Sequence, residues 1–207
     1  MNKLKGILLT QGMHGMISQV EGLAKALDID FTHHTVELNN FWKMIPPKFT
    51  PISQTVYKKV NQSDFDMIIS CGRKSVIPSI HLKNSSKKKV FSIHIQDPKV
   101  NFNNFDFIVA PEHDSIKGQN VINTKGAIHY LTEIEIKKNK DYLESFIKKV
   151  QRKICTLILG GPTKYYDYSL KNIKIIKEKP TYTDLLTRIL FFNIRFVEFS
   201  QKALKIS

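Results

Sequence analysis

Apolar residues fall along this chain in short, nearly unbroken blocks: Ile7-Leu8-Leu9-Thr10, Asp66-Met67-Ile68-Ile69-Ser70, Val90 to Ile95, Phe107-Ile108-Val109-Ala110 and Thr156-Leu157-Ile158-Leu159. Blocks of that length with little alternation predict strands buried on both faces. His34 to Leu38 and Asn120 to Asn123 predict two shorter strands. Between them, Ile17, Val20, Leu23, Ala24 and Leu27 recur at helical spacing, and Ser75 to Lys83 reads as a second helix. Leu143, Phe146, Ile147 and Val150 mark an amphipathic third. Pro46, Pro47 and Pro51 exclude regular structure from Asn39 to Pro51, and Trp42 reads as packing within that excursion. A crossover between parallel strands needs a dozen or more residues. The link from Ile95 to Phe107 is too short to hold a full helix, so a tight irregular crossover is predicted there. The fold class is therefore α/β, a Rossmann-like parallel sheet with helices on both faces.

Polar and glycine residues follow these strands repeatedly. Gly12, His14 and Gly15 come after the first, and Gly72 and Arg73 after the third. Gln96 and Asp97 come after the fourth, Glu112, His113 and Asp114 after the fifth, and Gly126 after the last short strand. In an open parallel sheet, ligands bind at the carboxyl ends of the strands, so these residues should gather along one edge. Gly12 and Gly15 could let backbone N–H groups approach an anion at a helix N-terminus, or they form only a tight turn. Gly72-Arg73-Lys74-Ser75 is not a P-loop, because Met67 stands where the first glycine belongs. Arg73 is either a bidentate partner for phosphate or carboxylate or a surface arginine at a turn. Gln96-Asp97-Pro98 is a turn opener as well as a candidate site. Glu112-His113-Asp114 is the most reactive cluster. A histidine between carboxylates can be held in one tautomer as a general base, or the triplet caps the next segment. Three adjacent residues cannot all face one ion, so no metal site is expected. His33 and His34 alternate across a strand, and only one of them could face a site.

Composition narrows the class. The chain has 207 residues, 42% hydrophobic and 24% charged, with a formal net charge of +14. That excess favours an anionic partner: a nucleotide, a phospholipid headgroup or nucleic acid. Nucleic acid is disfavoured, because the basic residues are dispersed and neither zinc-finger spacing nor an aromatic RNA-binding motif occurs. No signal-peptide pattern and no long apolar run is present, so a cytoplasmic or membrane-peripheral protein is expected. Cys71 and Cys155 each end an apolar run and read as buried thiols rather than a disulfide pair. The dinucleotide fingerprint is absent, which sets aside a nicotinamide dehydrogenase, and no cofactor is expected.

Five blocks resemble the mitochondrial-fission Elm-type family. They are Cys71-Gly72-Arg73-Lys74, Ile95-Gln96-Asp97-Pro98, Ala110 to Asp114, Asn120-Val121 with Thr124 to His129, and Leu159-Gly160-Gly161. Order and spacing agree from about residue 6 to about residue 168. The resemblance implies a two-domain fold similar to glycosyltransferase-B enzymes. Residues 1–150 would form the first domain and 151–207 the start of a truncated or degenerate second one. It implies a sugar-nucleotide donor held mainly by that second domain, and an acceptor of unknown identity held by the first. His14, Asp97, His113 and Asp114 are the candidate bases. Gly12, Gly15, Gly72, Arg73, Gln96, Glu112, Gly126, Gly160 and Gly161 are the candidate binding residues. The chain alone is expected to show little or no transferase activity. The alternative is a non-catalytic membrane-peripheral or partner-binding module, for which the apolar stretch Leu185 to Phe199 could supply an amphipathic helix.

Overall fold

The computed structural model describes residues 3–60 and 64–147. Six strands run β1 (Lys5–Thr10), β2 (Asp30–Thr35), β3 (Met67–Cys71), β4 (Phe91–Ile95), β5 (Phe107–Pro111) and β6 (Val121–Thr124). Helix α1 (His14–Ala26) joins β1 to β2, α2 (Val76–Ser85) joins β3 to β4, and α3 (Glu133–Ile147) follows β6. Every strand pairing is parallel, in the order β2-β1-β3-β4-β5-β6. This is the Rossmann-like α/β sheet that the apolar blocks predict. A first compact unit extends through Ile136 and a second begins at Lys137. The predicted strand at Thr156–Leu159, with Cys155, Gly160, Gly161 and the stretch 185–199, lies outside the described residues.

The continuous apolar blocks follow from burial on both faces. On one face Ile7, Leu9, Ile68 and Ile108 pack with Val76, Ile77 and Ile80 of α2. On the other, Leu8, Ile69, Cys71 and Ile95 pack with Val20 and Ala24 of α1. Pro78 is tolerated because it stands in the first turn of α2, where an N–H has no intrahelical partner to lose. Between β4 and β5 the chain makes only one short 3-10 turn (Phe102–Asn104), the tight crossover expected from the length of the link.

The second strand is a correction. It spans Asp30–Thr35, not His34 to Leu38, and none of its residues is fully buried. As an edge strand it has one partner, β1, and a single covered flank, so it does not need an apolar run. The apolar Val36 and Leu38 instead enter the core beyond the strand, where Leu38 bridges Tyr57 in antiparallel fashion. The third helix also begins at Glu133, well before the apolar positions that pointed to it.

Helix α1 lies against the backbone of residues 129–130 through a glycine. A Cβ on Gly22 would sit 2.6 Å from the His129 carbonyl carbon and 2.9 Å from Tyr130 N. Alanine normally stabilises a helix interior by about 1 kcal/mol over glycine. Here backbone would have to move, so Gly22→Ala is expected to destabilise by about 1–3 kcal/mol. Chemical denaturation checks the sign; a stabilised variant would show that this contact is loose.

Candidate functional site

Because all six strands are parallel, the loops after β1, β3, β4, β5 and β6 leave the sheet along one edge. The order reverses at β1, with β2 to one side and β3 to the other, which makes the β1/β3 boundary the switch point. Gly12 and Gly72 flank that boundary, with φ of +81° and +90°. These two loops touch: a Cβ on Gly72 would fall 2.5 Å from Gln11 Nε2 and 2.7 Å from Met16 Sδ. Gly15 and Gly126 have open space where a Cβ would go, so nothing local demands glycine there.

Helix α1 starts at this boundary without a side-chain cap, since Met13 is its N-cap and no acidic residue occupies its first turn. Its first N–H groups have no intrahelical acceptor and a partial positive charge. His14 is the first helical residue and is exposed. The Gly12 N–H is already committed, donating to Thr10 Oγ1 at 3.1 Å, and the same hydroxyl meets His33 Nε2 at 2.8 Å. Arg73 is likewise engaged. Its Nη2 donates to the carbonyl of Ile45 at 2.8 Å and lies 3.4 Å from that of Lys43, which ties the proline-rich excursion to the Gly72 turn.

The carboxylates collect farther along, after β4 and β5. Gln96 is held at φ +81°, with its N–H on the Val109 carbonyl at 2.9 Å. The Asp97 side chain is only 12% exposed. Its Oδ1 accepts from Lys99 N at 2.8 Å, and its Oδ2 pairs with Lys99 Nζ at 2.5 Å. The predicted Asp-Pro turn is thus real, and Asp97 serves it. The Lys99 ammonium is raised above its usual pKa, first by the Asp97 hydrogen bond and then by the charges of Asp97 and Asp114. Glu112, His113 and Asp114 form one 3-10 turn closed by Ser115 at φ +54°. His113 Nε2 lies 3.6 Å from Asp114 Oδ1, with the histidine 77% exposed and the aspartate 26%. That separation is too long for a hydrogen bond. Gln96, Lys99 and Ser115 are three of the four non-glycine residues at positive φ among the described residues. Such backbone strain costs about 1–3 kcal/mol per residue, so this part of the edge holds a shape that extended backbone would not.

Asp97, Lys99, His113 and Asp114 therefore come together. His14 does not join them: β3 separates β1 from β4, and strands spaced about 4.8 Å apart put its loop roughly 10 Å or more to one side. Gly126 is also peripheral, its carbonyl accepting from Thr124 Oγ1 at 2.7 Å beyond the outermost strand.

A family model for mitochondrial fission ELM1 matches residues 14–180. The chain belongs to that family. No curated protein and no solved structure matches it. The family span takes in every candidate residue of the carboxyl edge except Gly12, and it includes Gly160 and Gly161.

One polar group in this family member escaped the sequence reading. His94, within β4, is 1% exposed, and its Nδ1 lies 2.9 Å from Ser70 Oγ. Ser70 also reaches Ser79 Oγ and the Ile93 carbonyl. His94 Nε2 is buried with no hydrogen-bond partner. Burial pushes this imidazole down to about 3, against a smaller opposing effect of the Asp97 charge. The available signal was the alternation Ser92, His94 inside an otherwise apolar block.

A depression of about 800 Å³ lies elsewhere. Phe102, Asp106 and Asn120 are among its lining residues, and the last two immediately precede β5 and β6, at the amino-terminal edge. Carboxylates on that edge are locked in ion pairs: Asp66 with Lys88, and Asp106 with Lys83 at 2.8 Å. On the carboxyl edge, by contrast, His113 is 77% exposed. Among the described residues, no three metal-ligating side chains converge.

Proposed function

We propose that the carboxyl edge holds the hydroxyl acceptor in glycosyl transfer from a sugar nucleotide. The observation that carries this reading is the gathering of Asp97, Lys99, His113 and Asp114 on strained turns after β4 and β5, along the same carboxyl edge as the β1/β3 switch point. His113 reaches solvent with the Asp114 carboxylate 3.6 Å from its Nε2, near enough to orient the ring once an acceptor binds, which suits a general base. Catalytic contacts are often long before a ligand tightens them. In the reaction, the base takes the hydroxyl proton, the oxygen bonds to the anomeric carbon, and the bond to the nucleoside diphosphate breaks. The uncapped N-terminus of α1 supplies positive potential for the departing diphosphate. Membership of the family, whose fold resembles glycosyltransferase-B enzymes, supports the same assignment.

The test is a titration of the chain with panels of sugar nucleotides and sugar alcohols, followed by amide chemical shifts. Shifts should map to Gly72, Gln96, Asp97 and His113, and His113→Ala should abolish those at the turns after β4 and β5. Shifts confined to the depression around Phe102 and Asn120, or shifts indifferent to His113→Ala, would sink the reading.

A further inference from the structure

The proline-rich excursion after β2 exposes large apolar side chains that the fold does not use. Met44 is 84% exposed, Phe49 71%, Phe41 69% and Ile52 45%. They are not on a collapsed tail, because the segment is anchored at several points. Trp42 packs against the main core cluster, the Arg73 guanidinium holds the Ile45 carbonyl, and Pro47 is buried. The Asn39 side chain donates to the Thr55 carbonyl at 2.6 Å across the base of the excursion. Short 3-10 turns at Asn40–Lys43 and Pro47–Phe49 keep the backbone in fixed local geometry. A rigid frame therefore presents these side chains to the outside.

Charge decides what could cover them. From Leu38 to Ser63 the chain has no aspartate or glutamate, whereas Lys43, Lys48, Lys58 and Lys59 all lie within that span. Lys58 is paired with Glu37, but Lys43 and Lys48 make no ion pair among the described residues. Lys48 Nζ stands 5.9 Å above the ring of Phe49, so cation and apolar tip sit side by side. A second exposed apolar segment is the natural contrast. Ile134 and Ile136 are 68% and 60% exposed, but Glu133 and Glu135 are interleaved with them, ahead of Lys137 and Lys138. Apolar tips among lysines suit the boundary of an anionic bilayer, where the rings enter the acyl region and the ammonium groups meet the headgroups. Carboxylates interleaved with the apolar tips, as at Glu133 and Glu135, oppose that contact, whereas the excursion from Leu38 to Ser63 contains none.

We propose that the excursion from Phe41 to Ile52 is a membrane-docking surface that inserts Phe41, Met44 and Phe49 into an anionic leaflet, with Lys43 and Lys48 at the headgroups. This is independent of the glycosyl-transfer reading and uses neither the catalytic candidates nor the stretch 185–199. No helix among the described residues is long and apolar enough to cross a membrane, so the contact is peripheral. Arg73 links the docking surface to the Gly72 turn, which would place the carboxyl edge close to lipid.

The chain provides its own probe. Trp42 is its sole tryptophan, and its ring lies 4.9 Å from that of Phe41 in an edge-to-face contact. The full chain is mixed with phosphatidylcholine vesicles, with and without phosphatidylserine, and Trp42 emission is followed. A blue shift is expected with phosphatidylserine only, together with quenching by acyl-brominated lipid and reversal at high salt. Phe41→Ser/Met44→Ser/Phe49→Ser, all at exposed positions, should weaken vesicle co-sedimentation by roughly tenfold or more. Ile134→Ser should leave it unchanged. Vesicle binding that leaves Trp42 emission unmoved would place the contact elsewhere in the chain and overturn the proposal. So would a Trp42 shift that follows protein concentration rather than lipid, since a second copy would then cover the excursion.

Discussion

Stability of the chain should fall as pH drops from about 6.5 towards 4, and His94→Leu should remove most of that slope. In the fold, His94 is buried neutral, with its pKa pushed from 6.5 down to about 3. The unfolded chain takes up a proton near 6.5 while the folded chain does not. Between these values the unfolded state binds more protons, so stability rises with pH and is lost on acidification, at up to about 1.4 kcal/mol per pH unit. His33 contributes in the same direction, since burial lowers its pKa too, but it is less deeply placed. The paired carboxylates act in a lower window. Asp66 is held below the usual 3.8, first by its hydrogen bond from Lys88, so its contribution is present above 3.8 and lost only below it. The two ranges are therefore separable. Urea midpoints at a series of pH values, in wild type and His94→Leu, give the result directly. Leucine leaves Ser70 with Ser79 and the Ile93 carbonyl as partners and removes the orphaned Nε2. Equal slopes in both proteins would show that His94 finds a proton partner in solution.

Gly72→Ala is expected to cost about 2 kcal/mol and to disturb the switch-point loops together. Gly72 adopts φ +90° and ψ 158°, a region open essentially to glycine alone, and holding another residue there costs about 1–3 kcal/mol. The new methyl would also displace the ends of Gln11 and Met16, which lie within 3 Å of its position. Both are side-chain ends that can swing away, so the backbone term dominates. The informative comparison is with Gly15→Ala and Gly126→Ala. Neither has an atom near the added methyl, and each should change stability by no more than about 0.5 kcal/mol. Thermal or urea unfolding of the three variants sorts the glycine required by conformation from glycines whose backbone any residue could adopt. A neutral Gly72→Ala would mean that the turn relaxes without loss.

Much of the architecture was legible because burial leaves a mark on composition. The blocks at Ile7 and Ile68 are continuous because β1 and β3 are covered by α2 on one face and α1 on the other. Edge strands carry less of that mark, which is why β2 was placed several residues late: its own residues are half-covered, and the apolar Val36 and Leu38 belong to the core beyond it. The edge location of the site residues was also legible, since parallel pairing alone puts every βα loop on one side.

The sequence by itself determined the class of fold, the family and the edge where polar residues collect, because periodicity and ordered motifs are properties of the chain. Tertiary structure decided which of those residues meet. Asp97 and Asp114 both act on Lys99, and Gly72 seats against Gln11, because strands far apart in sequence are neighbours in the sheet. It also turned Arg73 into a tether for the excursion and left Met44 and Phe49 facing outward, although both lie in a stretch whose prolines had marked it only as irregular. Hydrogen-bond partners and exposure depend on the shared environment of distant segments, and no local pattern encodes them.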